Sequence, residues 1–473
     1  MLDGSVDFAE DRRCKDVIWA LLFGAVATAC VVIFAIAVHF GDPSSLPSAE
    51  ITNYEAQAVD WATREISILH HDLSIIFAAL SCGLILTFVW VQLLKRASLF
   101  FMVATVLALA LASICLGIYT WNLAYRTNSN FFLLISFLCW TFAAVVLFVS
   151  YILRERITFT AEIMQRCGKV LQRIPWLVAV PFVVSVIYLA LLGVWLLGFV
   201  YLFSIVEVET VETSSSTVYY TFFKQNIRWL FLVQLLGGLW TFSLLSAFEQ
   251  YVVARVVYAC EENHSMPFNS LAVGKKALRE MLSTSLGSLA FGSLLSAMAE
   301  MLGLFIKYSG VKGKIKIPEF CCLQSLTSFA QYLIQWTNGF SYIYVASQGH
   351  SFGHASAQTY RLLQTGFSRI VLASVLVNYL LAVGTLFFTF LVGGTTIALI
   401  EHYHYHVGLI SVFVTFCSIY LMFHITGRLI LITVNTLLVY LFENHRILSQ
   451  ELAEIKDIFD LRRLEETGNV VRI

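Results

Sequence analysis

Charge is what this chain has least of. Only 13% of its 473 residues are Asp, Glu, Lys or Arg, against about 25% in a soluble domain. That shortage excludes the string of soluble domains that length alone would suggest. Neither sign is in excess, with 30 basic against 30 acidic residues. No basic surface for nucleic acid is indicated, so no nucleic-acid partner is expected. No P-loop, Gly-rich nucleotide motif or Ser/His/Asp spacing stands out, so neither an enzyme nor a cofactor is expected. None of the 10 cysteines falls in a segment read as facing outside, which argues against a disulfide framework. Cys321 and Cys322 are adjacent and zinc spacing is missing, so no metal site is expected. One Asn-x-Ser/Thr sequon exists, at Asn263, in a loop read as cytosolic, where it stays unglycosylated.

What the chain has is apolar length. Hydrophobic residues reach 59%. A spanning helix needs about 20 apolar residues with few charges. The runs 17–40, 73–94, 100–124, 131–153 and 176–203 contain no Asp, Glu, Lys or Arg at all. The first follows a polar arm and lacks a small-residue cleavage site, so it reads as a retained helix rather than a signal peptide. Further spans follow at 229–253, 286–306, 321–347, 370–400 and 407–442. The expected fold is therefore all-α: a polytopic integral membrane bundle of about ten transmembrane helices. The eighth span is the least apolar, with Gln324, Ser325, Gln331, Gln335 and Asn338, and must face protein or water.

Basic residues set the orientation. Arg12, Arg13 and Lys15 precede the first span, Lys95 and Arg96 follow the second, and Arg154, Arg156, Arg166, Lys169 and Arg173 follow the fourth. Arg255, Lys275, Lys276 and Arg279 follow the sixth; Arg446, Lys456, Arg462 and Arg463 follow the tenth. The intervening loops are poorer, which places both termini in the cytosol. Lys307, Lys312, Lys314 and Lys316, between spans seven and eight, run against that count. The organisation expected is a cytosolic arm at 1–16, a membrane body at 17–442 and a cytosolic amphipathic tail at 443–473. A second amphipathic stretch, 158–171, reads as a helix docked on the protein's own underside.

Several stretches resemble the choline transporter-like family of eukaryotic membrane proteins. They are EDRRCKDVIWALLF from Glu10, LRERITFTAEIMQRCGKVLQRIP from Leu153, GLWTFSLLSAFEQYVVARVV from Gly238, SLGSLAFGS from Ser285, NGFSYIYVASQGHSF from Asn338 and VNTLLVYLFEN from Val434. They occur in the family's order, and SLGSLAFGS is the most specific. The resemblance implies uptake of choline, or of a related amine such as ethanolamine, for phospholipid synthesis. It also implies ten spans, cytosolic ends and a plasma-membrane location, with an organelle as the alternative. The chain departs from the family pattern in three respects. The segment 41–72 is short and holds neither Cys nor sequon; Asn378 and Asn435 stand where many members have Asp; and Glu300 stands at a basic position.

A methylated cation cannot donate hydrogen bonds, so a site for one needs aromatic faces, each attracting it by roughly 0.5–2 kcal/mol. The aromatic candidates are Trp240, Tyr251, Tyr342, Tyr344, Tyr119 and Trp121. Tyr119 and Trp121 also fit an interfacial aromatic belt. Asn338 and Asn378 are candidates to hydrogen-bond a substrate hydroxyl. Intramembrane charge is costly and marks function by default. Glu249, Glu300 and Arg428 are the charge and coupling candidates, and an internal ion pair is their structural alternative. At about 100° per residue, Trp240, Leu244, Ala247 and Tyr251 share one helix face. Glu249 falls opposite, so it pairs inside the bundle or the helix breaks at Gly237–Gly238. Ser288, Gly292, Ser296, Ala299 and Gly303 form a small-residue stripe suited to close helix packing. The histidine-rich runs 401–406 and 349–354 do not define a metal site.

The leading function is a transporter of choline or a related small amine by alternating access, with membrane lipids around it and an oligomeric state the sequence does not give. The alternative is a non-transporting membrane scaffold, suggested by Asn378 and Asn435 in place of charge. An intramembrane enzyme ranks last, because His424 stands nearly alone.

Overall fold

A computed structural model describes residues 15–41, 73–127, 130–152, 154–205, 207–213, 216–222, 225–262, 269–311, 317–402 and 409–443. The amphipathic tail, the sequon, Lys312, Lys314, Lys316 and most of the 401–406 histidine run lie outside them. In a bilayer every backbone amide must be satisfied internally, and helices do this within one segment. The described helices are α1 (Val17–Phe40), α2 (Leu73–Thr127), α3 (Asn130–Ile152), α4 (Arg154–Arg173), α5 (Ala179–Ser204), α6 (Gln225–Glu262), α7 (Ser270–Glu280), α8 (Leu286–Val311), α9 (Ile317–Gln348), α10 (Phe352–His402) and α11 (Leu409–Glu443). A 3₁₀ turn, Pro175–Val178, leads into α5, and a π-helical turn, Met281–Ser285, joins α7 to α8.

Among the described residues, 8 helices are long and apolar enough to cross a membrane. Their outward surfaces are apolar: on α1, Ile18 is 77% and Leu21 70% exposed. Water would not accept such a surface, but lipid does. The chain is an all-α, multi-pass membrane protein. Two of the ten expected spans are not among those 8. The second is represented by a shorter apolar stretch, Phe77–Leu93. The eighth is α9, which has 32 residues but too many polar ones.

Two local expectations are corrected, and one element was not expected. Lys95 and Arg96 do not sit in a loop, because helical backbone continues through them; 91–100 holds no Pro or Gly to break it. Lys275, Lys276 and Arg279 lie on α7, whose first turn is capped by Asn269 Oδ1 accepting from Ala272 N at 3.2 Å. The segment after α5 is not all irregular. β1 (Glu207–Thr213) pairs antiparallel with β2 (Ser216–Phe222), with Glu207 opposite Phe222 and Thr213 opposite Ser216.

The chain divides into two compact units, one from Met1–Val59 with Ala179–Arg361, the other from Asp60–Val178 with Leu362–Ile473. In the second unit α4 packs on α2 and α11, as the amphipathic pattern predicted. Its apolar face, including Ile163, Met164 and Leu171, is buried. Ser98 Oγ donates to Ala161 O at 2.7 Å and ties α2 to α4. Complete burial pushes the Cys167 thiol far above the ordinary cysteine range. Trp90 fills the same unit's core against Phe388 and Phe423. In the first unit α6 is the central helix, packed by α1, α5, α8 and α9.

Candidate functional site

The buried centre of the first unit is built on α6. Trp240, Leu244, Ala247 and Tyr251, predicted to share a face, are all buried. The opposite face is buried too, with Glu249 at 3% exposure beside Val253 at 0%. The helix runs unbroken through Gly237 and Gly238, so the alternative of a break there is excluded. Those glycines exist for proximity: a Cβ on Gly237 would strike Cys30, and one on Gly238 the Trp195 ring. Trp195 Nε1 donates to Gln234 O at 3.0 Å and locks α5 to α6.

The SLGSLAFGS segment is the hub onto which α1, α6, α9 and the start of α10 dock within the first unit. Ser285 closes the π-helical turn and donates to Tyr251 Oη at 3.1 Å. Trp240 Nε1 donates to Ala290 O at 3.0 Å and to Ser293 Oγ at 3.1 Å. Asn338 Nδ2, from α9, donates to Gly292 O and to Ser296 Oγ, both at 3.0 Å. A Cβ on Gly292 would meet Phe352 and the Tyr342 hydroxyl. The hub continues along the small-residue stripe, where Gln331 Nε2 donates to Ala299 O at 2.7 Å and fills the space over Gly303. Close packing, the reading given to this stripe, is what these contacts describe. Gln335 Nε2 donates to Glu300 Oε1 at 3.0 Å, so the half-buried Glu300 carboxylate is held by an amide.

Aromatic rings gather on this hub. Trp19 stacks on Phe291 with centroids 4.5 Å apart, Phe291 meets Phe352 edge-on at 5.4 Å, and Phe352 meets Tyr342 at 5.8 Å. Phe23 approaches Trp240 edge-on at 5.3 Å. Six rings thus come from α1, α6, α8, α9 and α10. The Tyr342 hydroxyl is buried and has no hydrogen-bond partner among the described residues. Such a group is normally satisfied, and an orphan calls for an explanation such as a ligand or water. Ring faces suit a weakly hydrated cation better than an anion.

The structure brings Trp240, Asn338 and Tyr342 together on the hub, with Tyr344 also buried in α9 and Glu249 buried further along α6 on its opposite face. It does not bring in Tyr119 and Trp121. They lie exposed on α2 in the second unit, Trp121 stacked on Trp140 at 5.6 Å, as belt residues would be. Asn378 is exposed on α10 and Arg428 half-buried on α11, both in the second unit. Residue-by-residue reading missed Asp16, Trp19, Phe23, Phe291 and Phe352. The signal was present, since all five lie inside the quoted motifs.

These motifs match a family model. The model described as plasma-membrane choline transporter covers residues 137–446. The chain belongs to that family. A CTL-like protein of Dictyostelium discoideum is 27% identical over 406 residues, covering 79% of this chain and 74% of its own. The protein PNS1 of Cryptococcus neoformans is 24% identical over 370 residues, 75% of this chain and 63% of its own. Choline transporter-like 2 of Drosophila melanogaster is 25% identical over 179 residues, 36% of this chain and 22% of its own. As a member of the choline transporter family, the chain carries its six-ring hub inside the matched region, apart from Trp19 and Phe23 of α1.

Proposed function

We propose that this protein transports choline, or a related small amine such as ethanolamine, by alternating access, and so supplies phospholipid synthesis. The observation that carries the reading is the family match over 137–446, which contains Trp240, the SLGSLAFGS hub, Asn338 and Tyr342. The unpartnered Tyr342 hydroxyl supports it, being suited to the alcohol of an amino alcohol. Ring faces would hold the ammonium end. Glu249 and Glu300 are the carboxylates proposed to attract the amine and Tyr344 a secondary contact, while Asn378 and Arg428 are proposed for substrate contact and charge coupling within the second unit. The same reading places both termini in the cytosol, counts ten crossings by adding Phe77–Leu93 and α9 to the 8 apolar helices, and puts the protein in the plasma membrane.

Uptake of labelled choline and ethanolamine into vesicles holding the full chain tests it. Saturable uptake, weakened by Tyr342→Phe more for choline than for a quaternary amine lacking the hydroxyl, is expected. No saturable uptake by folded protein overturns it and leaves the membrane-scaffold reading.

A further inference from the structure

Asp16 stands just ahead of α1, in the CKDV opening. Aspartate is a favoured N-cap because its carboxylate satisfies the first amides of its own helix. Here it does not do so. Asp16 starts α1 with a left-handed backbone, φ 59°, and no capping bond from its side chain. Its Oδ2 accepts instead from Ser288 Oγ at 2.7 Å and from Phe352 N at 3.0 Å. Phe352 opens α10, so the carboxylate of a distant segment satisfies an amide that α10 cannot, at the positive end of its dipole.

The backbone repeats the tie. Lys15 N donates to Thr284 O at 3.4 Å. Gly287 is a glycine because the Asp16 carbonyl occupies the place of a Cβ. Three segments far apart in sequence therefore meet at one oxygen, beside the π-helical turn. From there Trp19, Phe291, Phe352 and Tyr342 lead to the orphan hydroxyl. A left-handed non-glycine residue persists only while its surroundings hold it there. π-helical turns are frequent at functional sites.

We propose that Asp16 is a releasable latch that closes one end of the hub, the cytosolic end in the orientation above, and whose opening admits or frees the substrate. This rests on the transport reading for its purpose, but the latch itself is testable without substrate. The test is thiol labelling of the full chain in detergent, read by mass spectrometry at Ser285→Cys, with native Cys167 as the buried control in the other unit. Asp16→Gly keeps the left-handed backbone and removes the acceptor. Asp16→Asn keeps both, and Ser288→Ala removes one of the two bonds.

Asp16→Gly is expected to label Ser285→Cys about tenfold faster, the factor given by 1.4 kcal/mol of lost hydrogen bonding. Ser288→Ala should fall in between, Asp16→Asn should stay near the parent rate, and Cys167 should not change. If Asp16→Gly does not fold, Ser288→Ala carries the comparison alone. An unchanged rate at Ser285→Cys overturns the latch, as does an equal rise at Cys167, which reports general loosening. A protein that shows this labelling pattern but no choline uptake retains the latch and loses only the choline reading.

Discussion

At the scale of single residues, the hub explains which groups tolerate change. Trp240 is held by two indole hydrogen bonds, and Ser293 Oγ still reaches Ala290 O at 2.9 Å without it. Trp240→Phe should therefore destabilise by about 1–2 kcal/mol, seen as a lower Tm in detergent. Glycines give a sharper contrast. Gly287→Ala places a methyl on the Asp16 backbone carbonyl, which cannot move aside without breaking the contacts around it. Gly193→Ala meets nothing within 4 Å. The first should lower Tm clearly, while the second should stay within about 0.5 kcal/mol of neutral. Periodicity made the Trp240–Tyr251 face legible, because side-chain direction on a regular helix follows from spacing alone. The Asp16 contact was not legible, because a left-handed residue and a partner at Phe352 obey no local period.

Among elements, α4 and the α9–α10 connection make separate predictions. Met164 is 1% exposed on the docked face of α4, and Glu155 lies exposed on the same helix. Met164→Ala should cost about 2–4 kcal/mol and raise hydrogen exchange along 157–171, and Glu155→Ala should do neither. Between α9 and α10, burial first, then the charges of His354 and Lys15, hold His350 below the ordinary histidine range. Its neutral form is the one the fold prefers, so the unfolded chain binds the proton more readily. Stability should be full above about pH 6.5 and decline as pH falls through that value toward the depressed one. A Tm series across this window should flatten in His350→Gln. The 207–222 hairpin was not expected, although the alternating Val, Thr and Tyr of its two strands carry a strand pattern.

For the whole molecule, class was written plainly in the sequence and crossing number was not. Charge-free runs force membrane helices, since no other arrangement satisfies their backbone in lipid. Hydropathy loses resolution where a helix faces its own protein. Gln331, Gln335 and Asn338 make α9 look weak as a span, and they are the side chains bonded to α8. Polarity there reports helix contact rather than water. With the proposed orientation, tags on either terminus should be digested in inside-out vesicles and protected in sealed cells, and Asn263 should gain no glycan. The π-helical turn at Met281–Ser285 has one more consequence. A wide turn carries one residue more than the α ladder uses. Met281–Ser285 therefore holds a spare residue. Deleting one position there would leave continuous α-helix, with Ser288–Ser296 still docked and Ser270–Glu280 in nearly the same phase. Related chains with a single-residue gap at this point would share the same hub and present the same face of α7, whereas a gap elsewhere in α7 or α8 would rotate it by about 100°.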